Sequence, residues 1–153
     1  MIIFAEPTRE MVRELATKMR PMDQLEVKLS SGLTPEGALL SSIMSSDYYA
    51  AVLEGDSVIA ICGCSQHPQE PNLGIPWFLG SPRVDKLPVT LVKMSREWVM
   101  DMNVLYPTLA NAVYEHHHRS RTFLRALGFT EANILNNYGV YRSNFILFTR
   151  NDV

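Results

Sequence analysis

The sequence predicts a single α/β domain in which helices flank a mixed sheet (α/β, with an α+β mixed sheet). Apolar runs typical of strands alternate with segments of helical periodicity, and Pro and Gly residues separate them. The 153 residues contain no repeat or long polar linker. The predicted order is β-α-α-β-β-β-α-β-α-β-β, and a chain of this length encloses one core, so we expect a single domain over residues 1–153.

The first part of the chain is predicted to be strand, helix, helix. Residues 2–5 form a short apolar run. Thr8 can cap a helix whose apolar residues fall on one face, and Pro21 ends that helix. The next helix follows Thr-Pro-Glu at residues 34–36 and runs towards Met44, because a Thr cap followed by Pro in the first helical position is typical of a helix start.

Three antiparallel strands and a central helix are predicted next. Glu54-Gly55-Asp56 is a hairpin-type turn between the first two strands, and a proline-rich loop precedes the third. The central helix has Leu91, Trp98 and Met102 at helical spacing. The predicted strands cover residues 48–53, 57–65 and 75–79, and the helix covers residues 87–102.

The last part is predicted to be strand, helix, strand, strand. Phe123, Leu124 and Leu127 are the expected buried positions of the helix, and Gly128 ends it in a left-handed turn. The predicted strands cover residues 108–114, 134–141 and 145–149, and the helix covers residues 118–127.

Composition excludes several classes of function. The formal net charge is −2 and the basic residues are scattered, so we expect no nucleic-acid partner. No apolar stretch approaches the roughly 20 residues of a membrane helix, and the N-terminus does not resemble a signal peptide. Cys62 and Cys64 are interpreted as small core residues in a reducing cytosol, and with His67 they lack a fourth ligand at zinc spacing, so no metal is expected.

The order of elements resembles the GNAT N-acetyltransferase fold. The most specific local likeness is Arg121-Thr-Phe-Leu-Arg-Ala-Leu-Gly-Phe129, which resembles the penultimate helix of that family and its Leu-Gly-Phe ending. The resemblance implies acetyl-CoA as cofactor and transfer of an acetyl group to an amine. The backbone of the fourth strand, which ends at Leu79 and Gly80, is then expected to hold the pantetheine arm.

Three segments give a second likeness, to the acetyltransferase-like phage proteins that include internal virion protein A of T7-like podophages. This resemblance implies a GNAT-derived protein of the virion or of virion assembly, in the host cytoplasm, with a virion or host protein as partner. Catalysis need not be kept in such a protein. The segments are residues 106–113, 123–128 and 145–149.

The chain departs from the GNAT pattern where the pyrophosphate of acetyl-CoA is usually held. The family pattern is Gln or Arg, any two residues, Gly, any one residue, and then Gly or Ala. Here Arg83 takes the first position, and Lys86 and Pro88 take the two positions where the family has small residues. Pro88 lacks an N–H donor and Lys86 adds bulk where the backbone must approach the phosphates. Arg83 and Lys86 either bind phosphate through their charges or are two solvated side chains.

The resemblance also assigns two positions on the penultimate helix. The Asn that helps hold pantetheine corresponds to His117, and the Tyr that protonates the leaving thiolate corresponds to Leu124, which cannot donate a proton. Three other tyrosines could substitute for it, Tyr114, Tyr138 and Tyr141, but core or surface roles are the expected ones for these side chains.

Candidate general bases crowd the exit of the fifth strand, at Glu115, His116, His117 and His118. A neutral imidazole titrates near working pH, but successive residues point apart, so at most two can face a common site. Surface histidines at a turn are the alternative. Two hypotheses therefore stand: a non-catalytic phage protein on the GNAT scaffold, and an active N-acetyltransferase.

Overall fold

A computed structural model describes residues 1–151 of the chain. It contains seven strands and five α-helices, with a short 3-10 helix, Pro82–Lys86, before the fourth α-helix. The strands are β1 (Ile2–Ala5), β2 (Tyr48–Glu54), β3 (Ser57–Gln66), β4 (Leu73–Gly80), β5 (Thr108–Tyr114), β6 (Thr130–Tyr138) and β7 (Ser143–Asn151). The helices are α1 (Arg9–Lys18), α2 (Pro21–Ser31), α3 (Pro35–Ser45), α4 (Pro88–Leu105) and α5 (His118–Ala126).

All seven strands form one sheet, in the order β1-β2-β3-β4-β5-β7-β6. Every neighbouring pair is antiparallel except β4 and β5, which are parallel. These two strands pair at Leu73 with Thr108 and at Gly74 with Leu109, and the ladder then stops. The remaining lengths of β4 and β5 diverge, so the sheet is split between them.

Capping residues and turn glycines correctly predicted the starts of two helices, the β2–β3 turn and the end of α5. Thr8 caps α1 by accepting the Met11 N–H, and Thr34 caps α3 by accepting the Gly37 N–H. Gly55 has a φ of +60° in the β2–β3 turn and Gly128 a φ of +90° after α5. Both glycines take the left-handed backbone that their turns require. The predicted α/β class is confirmed.

The structure corrects the sequence prediction in two places. Pro21 does not end α1, which stops at Lys18; it is the first residue of α2, a helix that the prediction omitted. Proline suits that position because the first helical N–H has no partner within the helix. In the last hairpin, β6 runs from Thr130 to Tyr138 and not over residues 134–141, so Tyr141 lies in the turn and not in a strand.

Two layers of helices cover the sheet. Helices α1 to α3 pack on one face, around a core cluster that includes Leu15, Leu39 and Ile61. Helices α4 and α5 cover the other face, where the buried residues form two separate clusters. Leu127 is buried as predicted, but Phe123 and Leu124 are only partly buried, because they face a cavity rather than close-packed core.

None of the helices within residues 1–151 is long and apolar enough to cross a membrane. The same residues contain no group of three or more His, Cys, Asp or Glu side chains that could hold a metal ion.

Candidate functional site

A cleft of about 650 Å³ runs through the split between β4 and β5. Its lining comes from both faces of the sheet: Glu26, Val27 and Ser42 on the α2–α3 side, and Leu91 and Phe123 on the α4–α5 side. A concave site of this size, mostly apolar with a few polar groups, is the usual form of a ligand site.

The edge of β4 that faces the split carries three residues of interest. The Ser81 N–H donates to Ile59 O on β3. The backbone polar groups of successive residues in a strand point to opposite sides, so those of Gly80, Phe78 and Pro76 point towards β5. Proline has no N–H to offer at that edge, and the Pro76 carbonyl accepts a hydrogen bond from Asn111 Nδ2 at 2.5 Å. Phe78 lies beyond the last β4–β5 ladder pair.

The facing edge of β5 is bound by side chains of the same chain. Ala112 N–H donates to Asn111 Oδ1 at 2.8 Å, so Asn111 binds the backbone on both sides of the split. Tyr114 N–H donates to Glu26 Oε2 at 3.0 Å. Two backbone donors that point into the split therefore already have acceptors.

The open end of the split is closed by a clasp formed by Arg20, Asp23, Gly80 and His117. Asp23, on α2, accepts the Gly80 N–H at the end of β4 at 2.9 Å, and its other oxygen lies 2.6 Å from His117 Nε2 beyond the end of β5. Arg20 donates to both Asp23 oxygens, at 2.9 and 3.1 Å, and its backbone N–H donates to Gly80 O at 2.8 Å.

The clasp is almost fully buried, with 1% of Asp23 and 2% of His117 exposed. Burial alone would raise the pKa of Asp23, but the hydrogen bond from His117 and the Arg20 charge outweigh it and hold that pKa below its usual range. Asp23 is therefore a carboxylate, and it ties α2 to both of the diverging strands.

Glu26 lies on α2 one turn after Asp23 and lines the cleft. Burial raises its pKa to about 7, although His117 and the Tyr114 N–H lower it. A carboxyl group in a cleft with its pKa near neutrality has the property required of a general base. Tyr138 lines the same cleft, and burial together with the Glu26 charge raises the pKa of its hydroxyl.

The loop before α4 carries several charge pairs. Arg83 makes a bidentate ion pair with Glu54 on β2, at 2.6 and 2.8 Å, and Lys86 is exposed. Asp85 lies between two arginines, 3.0 Å from Arg20 Nη1 and 3.7 Å from Arg119 Nε. An acidic side chain thus occupies the loop in which the family pattern has glycines.

The predicted bases lie in two different environments. Glu115 and His116 form a pair at the surface, 3.3 Å apart, and the His118 ring lies 6.3 Å from that of His116. His117 alone is buried, and the two nitrogens of its ring contact Asp23 Oδ1 and the Ser120 N–H. The structure therefore brings His117 into the clasp and leaves its three neighbours outside the cleft lining.

The residues predicted to hold the cofactor are also dispersed. Leu79 lines the cleft and Gly80 belongs to the clasp, whereas Arg83 and Lys86 lie outside the cleft lining. Leu124 lines the cleft, so an alkyl side chain occupies the position of the expected tyrosine. Of the substitute tyrosines, Tyr138 lines the cleft, and Tyr141 lies in the β6–β7 turn beside Lys28.

Sequence reasoning missed four residues of the site: Arg20, Asp23, Glu26 and Asn111. Asp23 and Glu26 stand three apart, and this spacing places them on one helix face once Pro21 is recognised as a helix start. For Asn111, a polar residue inside the apolar run of β5 was the available signal. Three of their contacts join residues 35 to 94 apart along the chain, beyond the reach of local patterns: Asn111 with Pro76, Glu26 with Tyr114, and Asp23 with His117.

Comparisons with known proteins agree with this architecture. No protein-family profile matches the chain, and no curated protein matches its sequence. Among solved structures, the chain is similar to an N-acetyltransferase from Staphylococcus aureus Mu50, with a TM-score of 0.70 at 11% identity over 99% of this chain and 98% of that one.

Two further structures extend this likeness. A GNAT superfamily phosphinothricin acetyltransferase from Sinorhizobium meliloti, in complex with acetyl-CoA, has a TM-score of 0.68 at 15% identity, over 98% of this chain and 88% of that one. A GNAT family acetyltransferase from Streptococcus pneumoniae has a TM-score of 0.63 at 14% identity, over the whole of both chains. The strand order, the split between β4 and β5 and these likenesses together show that the chain has the GNAT acyltransferase fold.

Proposed function

We propose that this chain is a phage-encoded protein with the GNAT fold that does not use its cleft for acetyl-CoA chemistry. It acts instead in virion assembly, as an internal virion protein or as a protein that binds a host partner, in the host cytoplasm. The single observation that carries the proposal is the closure of the split by the side chains of the chain itself. The phage setting is supported by the likeness of three sequence segments.

The closure of the split bears on acetyl-CoA binding, because a pantetheine arm binds to strand edges by hydrogen bonds. The Gly80, Ala112 and Tyr114 N–H groups are bound to Asp23, Asn111 and Glu26 respectively. A ligand that replaced these acceptors would break three hydrogen bonds in the split, and each acceptor left without a donor costs about 1–3 kcal/mol. The edges of the split therefore do not fit pantetheine as they stand.

The loop before α4 does not fit a pyrophosphate either. A phosphate site at a helix start uses free backbone N–H groups and the positive end of the helix dipole. Here Pro88 is the first residue of α4, and the Asp85 carboxylate occupies the loop as a fixed negative charge. Asp85 contacts Arg20 and Arg119, so the charges of these two arginines are already partly balanced within the chain.

Calorimetry tests this first part of the proposal. The purified chain is titrated with acetyl-CoA, with desulfo-CoA and ATP as controls for the thiol end and for general nucleotide affinity. We expect no binding at millimolar acetyl-CoA. Micromolar binding of acetyl-CoA, with none for ATP, would contradict the proposal.

Complementation tests the role in the phage. Deletion of the gene from the phage that encodes the chain is expected to lower the yield of infectious particles, and the wild-type chain supplied in trans is expected to restore it. The Glu26→Gln variant should restore the yield equally, since its amide oxygen can still accept the Tyr114 N–H. Restoration by the wild type alone would show that the carboxyl chemistry of Glu26 is needed.

One observation favours a second candidate, an N-acetyltransferase that transfers acetyl from acetyl-CoA to an amine. Glu26 lines the cleft with its pKa raised to about 7, so it is suited to take a proton from an ammonium group. An acceptor screen with wild type and Glu26→Gln distinguishes the candidates. Acetylation that is lost in Glu26→Gln would establish the second.

A further inference from the structure

The α4–α5 side of the cleft is an apolar chamber between two separate core clusters. One cluster contains Val99 and Leu127, and the other contains Val84 and Leu91. Phe123 packs against both clusters from its position on α5. Close-packed proteins usually have one continuous core on a sheet face, so an interrupted core here indicates room for an additional apolar group.

Four apolar side chains face this chamber without being fully buried: Val92, Trp98, Phe123 and Leu124. Helix α5 is amphipathic, yet its apolar residues lie over the chamber and remain partly exposed. Apolar surface left in water is unfavourable in proportion to its area. A hydrocarbon ligand in the chamber would cover these side chains and connect the two clusters.

The mouth of the chamber carries a cation. Arg119, in the first turn of α5, lines the cleft and keeps 69% of its side chain exposed. Its ion-pair contact is Asp85, at 3.7 Å, which is a long contact for a guanidinium with five N–H donors. Ser120, the next residue, also lines the cleft. The mouth thus suits a single carboxylate, which an arginine binds through two parallel hydrogen bonds.

We propose that this chamber binds a medium-chain fatty acid, with the alkyl chain between α4 and α5 and the carboxylate on Arg119. The whole cleft, of which the chamber is one side, has a volume of about 650 Å³, within the range of sites for small organic ligands. The chamber is one side of the same cleft, but the proposal is argued from its apolar lining and Arg119 and does not rest on the proposed function.

Calorimetry with decanoate as the probe tests the proposal. Decanoate is expected to bind with a dissociation constant in the micromolar range, and decyltrimethylammonium, which has the same chain and the opposite charge, at least tenfold more weakly. Arg119→Gln is expected to weaken decanoate about tenfold, or about 1.4 kcal/mol, because the guanidinium charge and its paired hydrogen bonds are lost at an exposed position. Arg125→Gln is the matched control, because Arg125 lies on the same helix but binds Glu131 outside the cleft lining.

A second pair of variants tests the chamber itself. Leu124→Trp fills it and should abolish decanoate binding, whereas Leu105→Trp, at a position on α4 that is 48% exposed, should leave binding unchanged. Circular dichroism checks that both variants are folded, and Val92→Trp replaces Leu124→Trp if the latter is not. Absence of decanoate binding to the wild type, equal binding of the cationic analogue, or unchanged binding in the filled variant would each overturn the proposal. Acetyl-CoA binding in a parallel titration would count against the proposed function alone.

Discussion

The clasp makes a quantitative prediction about stability. In Asp23→Asn the shape of the side chain is kept, but the negative charge and one acceptor oxygen are lost. The amide N–H₂ of the variant would then face donors that now bind a carboxylate, namely the Gly80 N–H, His117 and Arg20. The buried guanidinium of Arg20 would keep Asp85 as its remaining partner.

The expected loss follows from the burial of the clasp. Removal of one partner from a buried ion pair costs about 3–5 kcal/mol, because the other charge stays buried without compensation. Asp23 is 1% exposed, so solvent offers little screening. A domain of this size has about 5–15 kcal/mol of total stability, so the variant should remain folded at low denaturant concentration but unfold much earlier.

Urea denaturation at pH 7 measures this loss as a change in the free energy of unfolding. Glu36→Gln is the matched control, since its ion pair with Arg13 is long, at 3.8 Å, and exposed, and it should change stability by less than about 0.5 kcal/mol. The pKa of Asp23 is lowered in the folded state, so its contribution is present above about pH 4 and is lost as the pH falls through the lowered value. A loss below about 1 kcal/mol at pH 7, or a difference that does not shrink in acid, would refute the role assigned to the clasp.

Three further predictions follow from other contacts. The pKa of Glu26 is raised to about 7 in the folded state, above its unfolded value. The stability of the wild type relative to Glu26→Gln should therefore be greatest below pH 4.5 and fall as the pH rises through 7. Urea unfolding of both proteins at pH 5 and pH 8 tests this, and an equal difference in unfolding free energy at the two pH values would contradict it. Gly139→Ala should lower the free energy of unfolding, measured in urea, by about 1–3 kcal/mol, because φ is +75° and the new methyl group would lie 2.6 Å from Leu29 O. Gly55→Ala is the control and should lower it less, since φ is +60° there but the space around the new methyl group is open. Gly63→Ala places a methyl group 2.7 Å from the Trp77 indole, so Trp77 must shift and the tryptophan fluorescence should move to longer wavelength; an unchanged spectrum would show that the ring is not packed there.

Local chemistry explains how much of the fold could be predicted from the sequence. Thr8 and Thr34 are capping residues, and Gly55 and Gly128 take left-handed turns, so each is recognisable within a few residues of the chain. Helix α2 was omitted because its start at Arg20 has no side-chain cap and its apolar face is weakly defined. Proline was interpreted as the end of one helix, although here it begins the next.

The candidate site was much less predictable, for a physical reason. Asp23 and His117 are 94 residues apart in sequence, and Glu26 and Tyr114 are 88 apart, so their pairing depends on how α2 lies across the two strand ends. The resemblance to GNAT proteins directed attention to His117 and Leu124, and both positions do lie at the clasp or the cleft. It gave no indication of Asp23 or Glu26, because neither belongs to the motifs that carry the resemblance.

The two-residue ladder between β4 and β5 has a consequence for how the chain folds. Strands β2 to β4 pair as consecutive hairpins, and β5 to β7 pair among themselves near the C-terminus, so most pairings within each half of the sheet are local in sequence. Strand β1 is the exception, since it joins β2 across the three helices between them. Contacts that are local in sequence form without closing long loops. We therefore expect two units that become protected from hydrogen exchange as separate blocks, and a chain cut in the loop before α4 should reassemble from its two fragments.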